Sequence, residues 1–262
     1  MKKNIILLSF VIGVYACSTV AITGRKQLSL VSDEEITSLS LQEYGEFMKT
    51  AQKSTDKVNT ALVVKVGTNL ATAINAYYGA IGQESPAKDY QWEFNLVKDE
   101  QVNAFCMPGG KIVVYEGILP YTQTETGLAV VLGHEIAHAI AKHSNERVSQ
   151  QVAAQYGQQL LGVATSGQSE VVQTAIGAAY GLGAQYGVLL PFSRKQELEA
   201  DHLGLIFMAI AGYSPNDAVS FWQRMSQQGS ATPEFMSTHP SDATRIAKIS
   251  EALPEALKYY KK

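Results

Sequence analysis

Between Leu128 and Ile140 the apolar residues Leu128, Val131, Leu132, Ile136, Ala139 and Ile140 recur at helical spacing, so this stretch has to fold as a helix with one buried face. Thr122 with Glu125 just upstream matches a capping box and predicts where that helix starts. The run encloses His134-Glu135-Ile136-Ala137-His138. On a helix, residues four apart share a face about one turn from each other, so both imidazoles reach one cation. Glu135 stands between them, placed to meet a water on that cation rather than the cation itself. The pattern therefore predicts a zinc site with its own general base. A surface helix with two incidental histidines is the alternative, and the apolar helical context weighs against it.

Zinc that does chemistry has three protein ligands and an open position. His143 is not the third, because it lies two and a half helical turns after His134 and faces away. The extended metzincin pattern fails as well, since positions 141 and 144 hold Ala141 and Ser144. The better candidate lies in Ser193-Arg194-Lys195-Gln196-Glu197-Leu198-Glu199-Ala200-Asp201. Ser193 with Gln196 reads as a capping box, and Leu198, Leu205, Phe207, Met208 and Ile210 supply an apolar face before Gly212 ends the helix. Glu197 and Asp201 share a face. That spacing suits Glu197 as metal ligand and Asp201 as acceptor of the outward N–H of a ligand histidine. Glu199 is expected in solvent, and an ordinary charged helix face is the alternative for the whole pair.

The two segments together resemble the gluzincin metallopeptidases of the HtpX, Oma-type and CAAX-prenyl-protease family, in particular its bacterial lipoprotein members of the LoiP and BepA type. The likeness also rests on Thr23-Gly24-Arg25-Lys26-Gln27-Leu28, Asn103-Ala104-Phe105, Ala211-Gly212-Tyr213-Ser214-Pro215 and Ser237-Thr238-His239-Pro240. It implies an α+β fold: a mostly helical, single-domain metallopeptidase with a small mixed sheet beside the HExxH helix. It also implies one zinc ion per chain held by His134, His138 and Glu197, with Glu135 as catalytic base and Asp201 supporting a ligand. His239 is implied to lie near the active site, as a transition-state donor or a reversible fourth ligand.

At the N-terminus, Lys2 and Lys3 precede an apolar run from Ile5 to Ala16, too short to span a bilayer as a stable helix. It ends Val14-Tyr15-Ala16-Cys17, which resembles a lipoprotein signal covering residues 1–16, with Cys17 as the lipid-modified first residue. Ordinary signal cleavage after Ala16 is the alternative. Ser18 is similar to the residue found after the cysteine in lipoproteins sorted to the outer membrane. The implied location is the bacterial periplasm, lipid-anchored at the inner leaflet of the outer membrane. With Cys17 so used, Cys106 is left without a disulfide partner and reads as a small buried strand residue, a regulatory thiol being the alternative. A net charge of −3 and no basic cluster argue against nucleic acid as a partner. At 262 residues and 46% hydrophobic content, residues 17–262 are long enough for one core and one domain. The end at Lys262 favours the shorter LoiP-like form over one with helical repeats.

Elsewhere, Ser32-Asp33-Glu34-Glu35 predicts a helix to about Thr50, and a second helix is expected from Lys57 to Tyr78 with Ala61, Val64, Leu70, Ala73 and Ile74 inside. After a loop over 79–89 the period changes. Trp92, Phe94 and Leu96 alternate with polar residues, and Ile112 to Tyr115 follow Pro108-Gly109-Gly110, which predicts a small sheet with a hairpin. Residues Asn103, Ala104 and Phe105 fall in a strand beside the zinc helix, where their backbone would bind an extended peptide; a covered edge strand is the alternative. Residues 150–191 are rich in Gly, Ala and Gln and read as a lid over the site or a segment dipping into the membrane surface, or else as a buried helix pair. Ser214-Pro215 starts another helix with Phe221, Trp222 and Met225 as a core stripe, and Gln227–Glu234 reads as a polar loop. His239 before Pro240 is expected in extended chain. Arg245 is expected to contact the oxyanion or a substrate carbonyl, or simply to be solvated.

These features predict an envelope-anchored zinc endopeptidase in which Glu135 assists attack of a zinc-bound water on a peptide bond. Protein or peptide substrates, misfolded or unassembled in the envelope, are implied by the resemblance, with envelope assembly machinery as a further partner. The alternative is a periplasmic chaperone or assembly factor whose zinc site is structural or closed.

Overall fold

A computed structural model describes residues 17–184, 190–227, 235, 239 and 243–261. The signal-like segment 1–16, the 185–189 part of the expected lid and nearly all of the Gln227–Glu234 loop lie outside the described residues. The chain divides into two compact units. One draws on the chain up to Ile36 and on Lys142–Gln196; the other comprises Thr37–Ala141 and the chain from Glu197 onward.

The second unit contains the sheet and the histidine helix. Helix α1 (Asp33–Thr50) feeds into it, and helix α2 (Lys57–Ala80) follows, capped by Asp56, whose carboxylate accepts the N–H groups of Val58 and Asn59 at 3.0 Å each. The face α2 buries is Val63, Val66, Leu70, Ala71, Ile74 and Tyr78, while Ala61 and Val64 of the expected stripe are exposed. The run Ala61-Leu62-Val63-Val64 offers two overlapping stripes, and the one begun at Val63 stays in register as far as Tyr78. That longer register buries more apolar surface.

Strands β3 (Glu93–Val97), β4 (Ala104–Met107) and β5 (Lys111–Tyr115) form a mixed sheet in the order β3-β5-β4. β3 runs parallel to β5, and β4 pairs antiparallel with it through the predicted hairpin. Gly109 and Gly110 both have φ +88°, a backbone that glycine adopts without steric cost. Tyr44, Val97, Val113 and Tyr115 form a buried cluster with Phe47 and Phe105 against it. Tyr115 N–H donates to the Asn103 carbonyl at 3.1 Å, so Asn103, Phe105 and Met107 direct their main-chain groups to β5. Ala104 and Cys106 direct theirs outward, along the edge of the sheet.

Helix α3 (Leu119–Thr122) is a single turn, and helix α4 (Glu125–Ile140) carries the two histidines. The cap of α4 is Thr124, whose side chain accepts Gly127 N–H at 3.0 Å, not the predicted Thr122. Pro120 starts α3 first, and Gln123 at φ +60° ends it, so α4 begins afresh two residues later than expected. Helix α4 packs on α2 and β4. Helix α7 (Leu190–Ile210) likewise begins before its predicted cap, placing Ser193 inside the helix; Pro191 sits in the first turn, where proline costs no hydrogen bond. Helix α8 (Asp217–Ser226) starts just after the Ser214-Pro215 turn and buries Phe221, Trp222 and Met225, and helix α9 (Ala243–Ala256) closes the unit. Where α7 crosses α4, a Cβ on Gly204 would lie 3.0 Å from the Gly133 carbonyl carbon, and one on Gly133 would lie 3.1 Å from Gly204 O. Two glycines thus let the helix backbones touch.

In the first unit, β1 (Cys17–Thr19) pairs with β2 (Lys26–Leu28) across a turn containing Gly24 at φ +68°. Arg25 forms a bidentate pair with Glu146 at 2.8 and 2.8 Å, and Gln196 Nε2 donates to the same carboxylate at 2.7 Å. Glu146 belongs to helix α5 (His143–Ala164), whose base is buried through Gln150 and whose remainder is largely exposed. Helix α6 (Glu170–Ala184) packs on α5. The two form an exposed hairpin, so a buried helix pair is not what the described residues make. No described helix is long and apolar enough to cross a membrane.

Candidate active site

His134 and His138 leave α4 one turn apart and Glu197 leaves the first half of α7, brought beside them by the Gly133–Gly204 crossing. His239 joins them. Ring nitrogens and carboxylate oxygens of these four residues lie within 4.8 Å of one another and form a group able to hold a metal ion. His134 Nε2 is 3.1 Å from His138 Nε2, 3.1 Å from His239 Nδ1 and 3.4 Å from Glu197 Oε2. Glu197 Oε2 is 2.8 Å from His239 Nδ1, and its Oε1 is 3.4 Å from His138 Nε2. One N–H on His134 Nε2 can serve only one of three acceptors at these distances. A tetrahedral zinc with bonds of about 2.0–2.1 Å separates its ligand atoms by about 3.3–3.4 Å, close to the spacings found. The donor set fits zinc.

Asp201 lies one turn beyond Glu197 and its Oδ1 is 2.9 Å from His134 Nδ1, the outward contact expected of it. Holding Nδ1 protonated leaves the Nε2 lone pair aimed into the cluster. Asp201 also accepts from Arg245 Nε at 2.6 Å and Nη2 at 2.8 Å. Burial works against this carboxylate, and Arg245 with His134 more than offsets it, holding Asp201 below its ordinary pKa. Burial also pushes the His134 pKa down, but Asp201 and Glu197 outweigh it and raise the metal-free value to about 9. Glu197 lies well below the carboxylate range: burial opposes ionisation, and the three imidazoles reverse that.

Glu135 points apart from the ligand atoms. It is buried, its Oε1 has no hydrogen-bond partner among the described residues, and His239 Nε2 lies 3.4 Å from that oxygen. Burial raises its pKa, with His239 and His134 opposing. The Cys106 main-chain N–H, on the outward edge of β4, also acts on this carboxylate. Burial and Glu135 together push the Cys106 thiol well above its usual pKa, which suits the small strand residue rather than a reactive thiol.

Arg245 is buried, not solvated. Its guanidinium stacks 3.7 Å over the Trp222 ring and bonds Asp201 and the His239 carbonyl, the latter at 2.9 Å. The sequence offered a substrate contact or a solvated helix charge and not this pairing, because the partner, Asp201, is distant in the chain. Glu199 is buried as well, against the expectation of a solvated side chain. His239 lies at a bend rather than in extended chain, and its N–H donates to the Phe235 carbonyl at 2.8 Å. His143 is fully buried at the start of α5 and outside the metal-capable group. Cys17 is exposed in β1. Asn103 immediately precedes edge strand β4, its Oδ1 accepting Ala104 N–H at 2.9 Å, and Phe105 turns its ring onto Phe47 and Tyr115. Trp222 and Phe235 pack edge-on to His134. Trp222 was legible only as core, and Phe235 carried no periodic signal at all.

The family model "Peptidase family M48" matches residues 67–253. The chain is 43% identical over 183 residues to "Mitochondrial metalloendopeptidase OMA1" of Schizosaccharomyces pombe, covering 66% of this chain and 50% of that protein. To "Metalloendopeptidase OMA1, mitochondrial" of Homo sapiens it is 30% identical over 257 residues, 90% of this chain and 46% of that one. To the "Beta-barrel assembly-enhancing protease" of Escherichia coli it is 27% identical over 168 residues, 60% of this chain and 33% of that one. The chain spans about half the length, or less, of these curated relatives.

Proposed function

Because the chain belongs to peptidase family M48, whose members depend on zinc, we propose that it is a zinc endopeptidase with His134, His138 and Glu197 as ligands. One observation carries the reading: three imidazole nitrogens and a carboxylate converge at tetrahedral spacing, while Glu135 beside them keeps a buried oxygen without a hydrogen-bond partner among the described residues. Zinc held there supplies a Lewis acid that polarises a peptide carbonyl and acidifies water. Glu135, with its pKa raised by burial, takes the proton of the attacking water and returns it to the leaving nitrogen. Asp201 fixes the tautomer of His134, and Arg245 fixes Asp201, so the role we assign Arg245 is positioning rather than contact with substrate. The outward carbonyls of Ala104 and Cys106 offer an extended peptide acceptors next to Glu135, the Ala104 N–H being held by Asn103 Oδ1 and the Cys106 N–H turned to Glu135.

His239 occupies a fourth corner of the cluster through Nδ1. From there His239 would serve either as a fourth ligand to bound zinc that closes the site or as a donor to the oxyanion. The same contact is what supports the second reading, a chaperone or assembly factor whose site stays closed. Anchoring through lipidated Cys17 in a bacterial envelope, and substrates that are misfolded or unassembled envelope proteins, are supported by the signal-like N-terminus and by the likeness to bacterial assembly-enhancing proteases.

The deciding experiment compares the zinc-loaded protein with its Glu135→Gln variant on an unfolded model protein. Cleavage by the first alone, with zinc bound to both, is expected. Equal cleavage by both rejects Glu135 as base, and no cleavage by either moves the case to the closed-site reading.

A further inference from the structure

The α5–α6 hairpin exposes an apolar surface that the peptidase site does not use. On α5, Tyr156, Leu160 and Val163 follow one another at helical spacing along a single face, and Leu160 and Val163 are 71% and 74% exposed. Val171, in the first turn of α6, is 78% exposed. These residues cluster toward the tip of the hairpin, whereas its base buries His143, Asn145, Glu146, Ser149 and Gln150, with Ser149 donating to Asn145.

Water is a poor partner for such a surface. A helix that faces solvent carries charge on its outer face, yet between Arg147 and Arg194 the only charged residue is Glu170. The polar positions are Gln, Ser and Thr, which hydrogen-bond without the cost of burying an ion. The chain just before Cys17 is the apolar run Ile5–Ala16, with Lys2 and Lys3 ahead of it. Cys17 opens β1, in the same compact unit as the hairpin. The segment that reads as membrane-directing thus leads into the unit that presents the apolar tip, where the one charge is Glu170. Neither helix is long and apolar enough to span, so the bilayer contact it fits lies at the interface.

We infer that the tip of the α5–α6 hairpin, through Leu160, Val163 and Val171, inserts into the interfacial region of a lipid bilayer. The tip carries no Lys or Arg and its one charge is Glu170, so this contact is hydrophobic, needs no anionic lipid and is not removed by salt. It is independent of the peptidase reading and of what chemistry, if any, modifies Cys17.

The test places a tryptophan at the tip, Leu160→Trp, in the full chain mixed with phosphatidylcholine vesicles with or without bromine on the acyl chains. The parent chain supplies the background of Trp92 and Trp222. The added emission is expected to fall about twofold or more with brominated lipid, equally at low and high salt. Val163→Asp with Val171→Asp in the same background should abolish the quenching, because two charges at the interface oppose insertion. Flotation reads attachment of the whole chain separately. Absence of quenching, whether or not the chain floats, overturns the inference. So does quenching that salt removes, or a blue shift that grows with protein concentration without vesicles, which would mean that a second copy covers the face.

Discussion

Replacing Asp201 with Asn tests the electrostatic frame of the site with little change of shape. In the metal-free fold Asp201 receives His134 Nδ1 at 2.9 Å and Arg245 at 2.6 and 2.8 Å, all of them buried. Hydrogen bonds to charged groups are worth about 1.5–3 kcal/mol each. An asparagine has one acceptor oxygen for these three donors, and its NH2 turns toward at least one of them. It also leaves the Arg245 charge buried without its counter-ion, so Asp201→Asn should cost about 3–5 kcal/mol of metal-free stability in urea unfolding. Zinc affinity, read by competition with a chromophoric chelator, should drop about 10–100-fold because the tautomer of His134 is no longer held. The double variant Asp201→Asn/Arg245→Met removes both charges. It should recover at least about 1 kcal/mol relative to the sum of the two single costs. Additive single costs, together with an affinity within about twofold of the parent, would refute the claim that Asp201 serves both Arg245 and the ligand.

Zinc binding at pH 7 should release close to one proton from His134, whose metal-free pKa is about 9, measured as the buffer dependence of the calorimetric heat. The sign for metal-free stability follows. With the folded value above the ordinary 6.5, the contribution of His134 is fully present below that pH and is lost as pH rises through about 9. Glu93 works in the opposite sense. The Tyr44 O–H, 2.7 Å away, depresses its pKa below 4.5, so its contribution is present above that value and fades as pH falls through the folded one. Glu93→Gln should therefore lower stability at neutral pH and converge with the parent in acid unfolding. At the helix crossing, Gly204→Val forces α7 from α4 and should destabilise by about 1–3 kcal/mol while loosening zinc, checked by unfolding and chelator competition.

The parts of this protein that are local and periodic could be read ahead of the structure. The α4 stripe around His134 and His138, the four-residue step from Glu197 to Asp201 and the alternation before the Pro108-Gly109-Gly110 turn each follow from one element's geometry. What escaped was set by other elements. Arg245 reads as a substrate contact or a solvated helix charge until Asp201 and Trp222 arrive from α7 and α8 to bury it. Helix starts moved for a related reason: Thr122 and Ser193 both match a cap, but Pro120 and Pro191 begin helices upstream of them. On α2 the valine run admits two stripes, and only tertiary packing chose the one through Val63.

The outward edge of β4 has a bearing on what selects a substrate. Within β4, Ala104 and Cys106 face that way, and what they offer is main-chain carbonyls, which the N–H groups of any polypeptide can answer. A partner must first release its own backbone from helix or sheet over several residues. The free energy of that local opening then enters the cleavage rate directly, and it differs between a folded and a damaged copy of the same chain. An enzyme docking substrate on this strand would therefore rank its targets by how often they come undone, with little regard to their sequence.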